Sequence, residues 1–132
     1  MRSLRWIGAV VLGLFALPFA FGQGGEVRAP SYDVKSEVIV RGKVAAVAAI
    51  PDWMGKKGVN VTLQTPDAVL VHVDTAPADF LEMLDFAIAS GDELEVTGAW
   101  ARWEGARVLL ARIVTKQKVA VSVRDLDGKP VW

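Results

Sequence analysis

The sequence predicts a mainly β domain: a five-stranded barrel with one helix between its third and fourth strands. After residue 36, three runs of alternating apolar and polar residues precede one segment of helical periodicity, and two more alternating runs follow. The runs are dense in valine, which favours strands over helices. The order β-β-β-α-β-β is that of the OB-fold, here with a C-terminal β-hairpin extension.

The first strand starts at Glu37. Val38, Val40 and Val44 are expected to face inward and Arg41 and Lys43 outward, with the run continuing through Val47 toward Ile50. Gly42 lies mid-strand, where a missing Cβ permits the coil or bulge that bends one strand across a small barrel. Residues 51–57 carry turn chemistry around Trp53, Lys56 and Lys57. Strand two, Val59 to Gln64, alternates Val59, Val61 and Leu63 with Asn60, Thr62 and Gln64. Thr65-Pro66-Asp67 makes a tight turn. Strand three, Ala68 to Asp74, sets Val69, Val71 and Val73 on one face and Leu70 and His72 on the other.

The period then changes. Thr75 or Ala76 is expected to cap a helix, with Pro77 in its first turn. Phe80, Leu81, Leu84, Ala87 and Ile88 form an apolar stripe over about three turns, and Ser90-Gly91 supplies the stop. That stripe would plug an open barrel end, Phe80 and Leu84 each contributing roughly 1.5–3 kcal/mol. Strand four runs from Glu93 to Trp100, with Leu94, Val96 and Trp100 inside, and Ala101 to Gly105 form a turn. Strand five spans about Arg107 to Thr115. Residues 119–132 read as a terminal hairpin that extends or covers a barrel edge.

Residues 1–22 have the layout of a secretory signal peptide. Arg2 and Arg5 precede an apolar stretch from Trp6 to Phe19, and Ala20-Phe21-Gly22 suits cleavage before Gln23. A retained N-terminal anchor is the alternative. Residues 23–36 read as a flexible leader, and residues 37–132 as the OB-fold domain. Without Arg2 and Arg5 the chain has 13 basic against 15 acidic residues, a net charge of −2. That balance disfavours strong, sequence-independent nucleic-acid binding. The absence of cysteine excludes thiol catalysis, disulfides and thiolate metal sites.

No catalytic residue, metal ligand set or cofactor is predicted. His72 is the single histidine, and Ser31, Ser36, Ser90 and Ser122 lack a nucleophile-elbow context. Walker A and G-x-G-x-x-G motifs are absent. His72 and Asp74 share a strand face, but two ligands fall short of a zinc site. Asp125-Leu126-Asp127-Gly128 copies the opening of a calcium loop without its later Glu, so a plain turn is expected.

A binding face is better supported. In an OB barrel the outer surface of strands two and three is the usual platform, flanked by the loops joining strands one to two and four to five. Here the expected contacts for a small polar ligand, cation or protein partner are His72, Gln64, Asn60, Lys43 and Trp53. Arg41, Lys56, Lys57, Arg102 and Trp103 would instead serve single-stranded nucleic acid, by phosphate neutralisation and base stacking.

Gly91-Asp92-Glu93-Leu94-Glu95-Val96-Thr97-Gly98 is similar to the GD-x-[VL]-x-V-x-G strand-four pattern of bacterial OB-fold proteins. Together with Val71-His72-Val73, Phe80-Leu81, Leu110-Ala111-Arg112 and the segment from Val123 to Trp132, the chain resembles small exported bacterial OB-fold proteins of unassigned function. It departs from them at Asp74-Thr75-Ala76-Pro77, where a Gly-Pro pair is expected before the helix. The resemblance implies a fold and an address, and carries no catalytic or ligand set; fold alone does not establish function. The sequence thus points to a non-enzymatic OB-fold binding module of the bacterial envelope, periplasmic or secreted. The alternatives are an oligonucleotide binder and a structural protein that pairs through a barrel edge.

Overall fold

The alternating runs become strands of one sheet in the computed structural model, which describes residues 29–132. The expected signal peptide and residues 23–28 of the expected leader lie outside the described residues. The elements are β1 (Glu37–Pro51), β2 (Lys57–Gln64), β3 (Leu70–Pro77), α1 (Ala78–Met83), β4 (Glu93–Trp103), β5 (Ala106–Lys116) and β6 (Val119–Ser122). The sheet order is β3-β2-β1-β4-β5-β6, with every neighbouring pair antiparallel. In addition β3 pairs with β5 in parallel, through Val73↔Leu109 and Asp74↔Leu110. The mainly β class and the helix after the third strand agree with the sequence reading.

β1 serves two neighbours in turn. Glu37 to Lys43 pair with β4, and Lys43 to Pro51 pair with β2, with an irregularity between Val44 and Ala46. Gly42 sits where the strand changes partner, and a Cβ there would lie 2.7 Å from the Gln64 carbonyl oxygen. Glycine is therefore required by close backbone approach, as the mid-strand position suggested. The inward residues follow the expected alternation: Val44, Val61, Leu63, Val71, Val73, Leu94 and Val96 are buried, and Val38, Val40 and Trp100 pack against them. Leu109, Ala111 and Val114 of β5 complete this core.

The helix departs most from expectation. β3 does not stop at Asp74: Thr75 and Ala76 are buried strand residues rather than a cap, and Pro77, also buried, stands at the N-cap position instead of in the first turn. The Thr75 hydroxyl donates to the Val59 carbonyl at 2.6 Å, so its hydrogen-bonding capacity serves the sheet. Val69 precedes β3 and is 55 % exposed, outside the predicted inward row. α1 has only six residues and no side-chain cap. Asp85 takes a left-handed conformation at φ 55°, with Phe86 N–H donating to the Leu81 carbonyl and Asp85 N–H to that of Glu82. This is a Schellman closure, which brings Leu81 and Phe86 together. Those two are buried, whereas Leu84 is 39 % exposed and Phe80 only half-buried. The expected plug by Phe80 and Leu84 is thus replaced by Leu81 and Phe86. Gly91 does have a positive φ, but its N–H bonds the Val44 carbonyl of β1 instead of ending the helix.

Two tight hairpins organise the second half of the chain. Glu104-Gly105 joins β4 to β5 and Gln117-Lys118 joins β5 to β6, all four residues with positive φ. Paired positive φ values define the type I′ turn, whose twist matches that of the flanking strands. β6 extends the sheet beyond β5, and a small terminal loop follows, bridged at Arg124↔Pro130. Asp125 accepts from the N–H groups of Asp127 and Lys129, both at 2.9 Å, so its carboxylate closes a plain turn.

The first described residues are pinned to this terminal loop. Pro30 is buried, and the Tyr32 ring lies so close to Gly128 that any Cβ there would collide with it. The Tyr32 hydroxyl donates to Glu37 at 2.6 Å, and Arg112 grips the same carboxylate with Nε and a terminal nitrogen. The paired guanidinium lowers the Glu37 pKa, while burial, followed by the adjacent carboxylate, raises that of Tyr32.

Candidate functional site

Register brings one row of polar side chains to the outer face of β2 and β3. Thr62 stands opposite His72, and Asn60 opposite Asp74, so the four share a face. Ala46 and Ala48 continue the row across β1, facing Thr62 and Asn60. The parallel contact of β3 with β5 carries the β4–β5 hairpin, and with it Trp103, to the far side of this row. The result is a groove of about 480 Å³ lined by these residues together with Asp52, Ile50 and Glu104.

The electrostatics of the groove are acidic. Burial raises the pKa of Asp74, and the nearby Asp52 carboxylate adds to this, while Arg124 opposes both. Arg124 itself is buried: it donates to the Gly128 carbonyl at 2.8 Å, and its guanidinium lies 5.5 Å from the Tyr32 ring and 5.6 Å from that of Trp132. Burial lowers the Arg124 pKa, against the attraction of Asp74. Thr62 Oγ1 lies 3.3 Å from His72 Nδ1, which orients the imidazole along the groove wall. Asp52 turns the β1–β2 loop by accepting from Met54 and Lys56 N–H groups, both at 2.8 Å, and its Oδ2 is buried without a partner. Among the described residues, no three His, Asp or Glu side chains are disposed to hold a metal ion. No described helix is long and apolar enough to cross a membrane.

Asp74 gives a pH signature with a definite sign. An acid whose folded pKa is raised destabilises the fold when ionised, so stability should increase as pH falls through that raised value toward the ordinary aspartate range. The Asp74→Asn variant is expected to lose this component. Urea unfolding across mildly acidic pH, compared between the two proteins, measures it; identical pH profiles would refute the assignment.

The residues singled out from the sequence do not form one cluster. Asn60, His72 and Trp103 line the groove just described. Lys43, Gln64 and Arg41 line a second concavity of about 640 Å³, where β1 crosses between β2 and β4. Arg41 is engaged there with Glu95 at 2.8 Å. Trp53 is half-buried in the β1–β2 loop, and its indole N–H is buried without a partner. Lys56 and Lys57 are exposed, and Arg102 donates to the Gly105 carbonyl within its own hairpin. Asp52 and Glu104 also line the groove, although the sequence does not mark them as contacts. Their only sequence signal is a position in the two loops that flank the β2–β3 face.

Among curated proteins, none matches the chain. A family model does match, over residues 36–121, from the residue before β1 into β6, leaving the terminal loop outside the match. The chain therefore belongs to a bacterial family, the MamS/MamX magnetosome protein family.

Proposed function

We propose that this chain is an exported, non-enzymatic OB-fold binding module that acts at the magnetosome or the surrounding cell envelope and holds a small, positively charged polar ligand in the β2–β3 groove. The observation that carries this reading is the groove itself, which combines carboxylates, Asn60, Thr62 and His72 with the Trp103 ring on one concave face. An aromatic face next to the half-buried carboxylates of Asp52 and Asp74 suits an organic cation. The parallel β3–β5 pairing supports a barrel, because it joins β1, β2, β3, β5 and β4 in a ring with the OB order. Arg2, Arg5 and the apolar run after them support export. The family's description as magnetosome proteins supports the address.

The same groove disfavours oligonucleotides. Asp52, Asp74 and Glu104 would face phosphates there, and Lys56, Lys57 and Arg102 do not line it. Amide chemical-shift mapping with polyamines, divalent cations and short single strands tests the reading. Shifts at Asn60, Thr62, His72 and the Trp103 indole are expected with polyamines, weakening as acid protonates Asp74. Silence of that face throughout the panel, or a response confined to oligonucleotides with steep salt dependence, would overturn it.

A further inference from the structure

Beyond Lys43, β1 has a strand partner on one side only. Its β4 pairing ends at Lys43, and the N–H and carbonyl of Val44 are taken by Asp92 and Gly91. From Ala45 to Pro51 the edge opposite β2 has no pairing among the described residues, and every residue is exposed, Val47 by 40 % and Ile50 by 44 %. The stretch Ala45-Ala46-Val47-Ala48-Ala49-Ile50 contains no charge, and no proline before residue 51. An open edge of this kind is a template for another strand; proteins usually protect it with charge or a bulge, and here charge is lacking and the irregularity at Ala45 lies at the end of the stretch, not within it.

We infer that this edge is a docking surface for a second copy of the chain, forming a two-fold dimer through antiparallel β1–β1 pairing centred on Val47. From Ala45 to Ala49 the sequence reads the same in both directions about Val47, so Ala45 would face Ala49, Ala46 would face Ala48, and Val47 would face its own copy. Self-complementarity of this kind is what a two-fold interface requires. The ladder stops where β4 and the Gly91–Asp92 turn take the edge, at Lys43 and Val44, and no charge lies between Ala45 and Ile50 to set like charges against each other. Directly opposite residues share a sheet face, so Ala46 and Ala48 of both copies would continue the groove-lining row. The dimer therefore sets two grooves side by side on one face, whatever each of them holds.

The chain has no cysteine, which makes the register directly testable. Across an antiparallel pair, Val47 Cα atoms would lie about 4.5–5.5 Å apart, within the reach of a disulfide. Two Ala49 positions would be separated by about 13 Å. Under mild oxidation the full-length Val47→Cys protein should convert to a covalent dimer, and Ala49→Cys should not. A second measurement is independent of that chemistry. In light scattering, Val47→Lys should weaken dimerisation about tenfold by opposing like charges, and mixing it with Val47→Glu should restore the dimer. Equal crosslinking of both cysteine variants, or a wild-type protein that stays monomeric up to millimolar concentration, would overturn the proposal.

Discussion

Replacing Gly98 with alanine should destabilise the protein by about 3 kcal/mol or more, enough to lower the melting temperature by over ~10 °C. A Cβ at this position would fall inside van der Waals contact with the Leu110 carbonyl oxygen and 3.1 Å from its carbon, atoms of the paired strand's backbone. Side chains can rotate away from an added methyl, but a ladder carbonyl in the core cannot. The site coincides with the irregularity between Thr97 and Gly98, where β4 bends over β5. Gly55→Ala is the control. It has open space around its Cβ position but a φ of 77°, so it should cost only about 1 kcal/mol of backbone strain. Thermal unfolding of the two variants separates the effects: Gly98 has no positive φ, so equal losses would show that the backbone around it yields to the added methyl.

Removing residues 123–132 should be comparably damaging, costing about 3–5 kcal/mol. Val123 is fully buried in the main core, and Trp132 packs on Phe80 of α1 with ring centroids 6.2 Å apart. Arg124 anchors the terminal loop from within, yet its Nε has no partner. Its aliphatic stem and the closed loop, rather than its charge, should therefore account for most of its contribution. Arg124→Met is expected to keep most of the stability that Arg124→Ala loses, since a buried charge is a weak source of net stabilisation. Denaturant midpoints of the three proteins decide this, and a methionine variant as unstable as the alanine one would make the charge essential. Because the segment belongs to the core, its deletion cannot probe self-association, for which single substitutions in β1 are the sound test.

Individual elements show how far local pattern reaches. Val59, Val61 and Leu63 alternate with polar neighbours, and Leu94 with Val96, because a strand packed on one side enforces a period of two that survives in the sequence. Gly42 was legible for the same kind of reason, as an interruption no other residue could supply. The sequence predicts a longer helix because Phe80, Leu84, Ala87 and Ile88 do recur at helical spacing, which continues beyond Met83, where α1 ends. Two things overrode that spacing: a nonlocal bond, in which the Thr75 hydroxyl found the Val59 carbonyl across the sheet, and a local closure, in which Leu81 met Phe86 through a left-handed Asp85.

The candidate site divides along the same line. Asn60, Thr62 and His72 could be placed on one strand face from alternation alone, because facing direction is a property of each strand. That Trp103 joins them while Lys43 and Gln64 face a separate hollow depends on register and on the β3–β5 contact. The sequence by itself determined the β-rich class, the strand order along the chain, the lack of thiol chemistry and the near-neutral charge, all of which follow from composition and short-range periodicity. Only the tertiary structure decided which loop meets which face, how acidic the groove is, and which edge of β1 stays open. Those features depend on distances between residues far apart in the chain, and no local pattern encodes them.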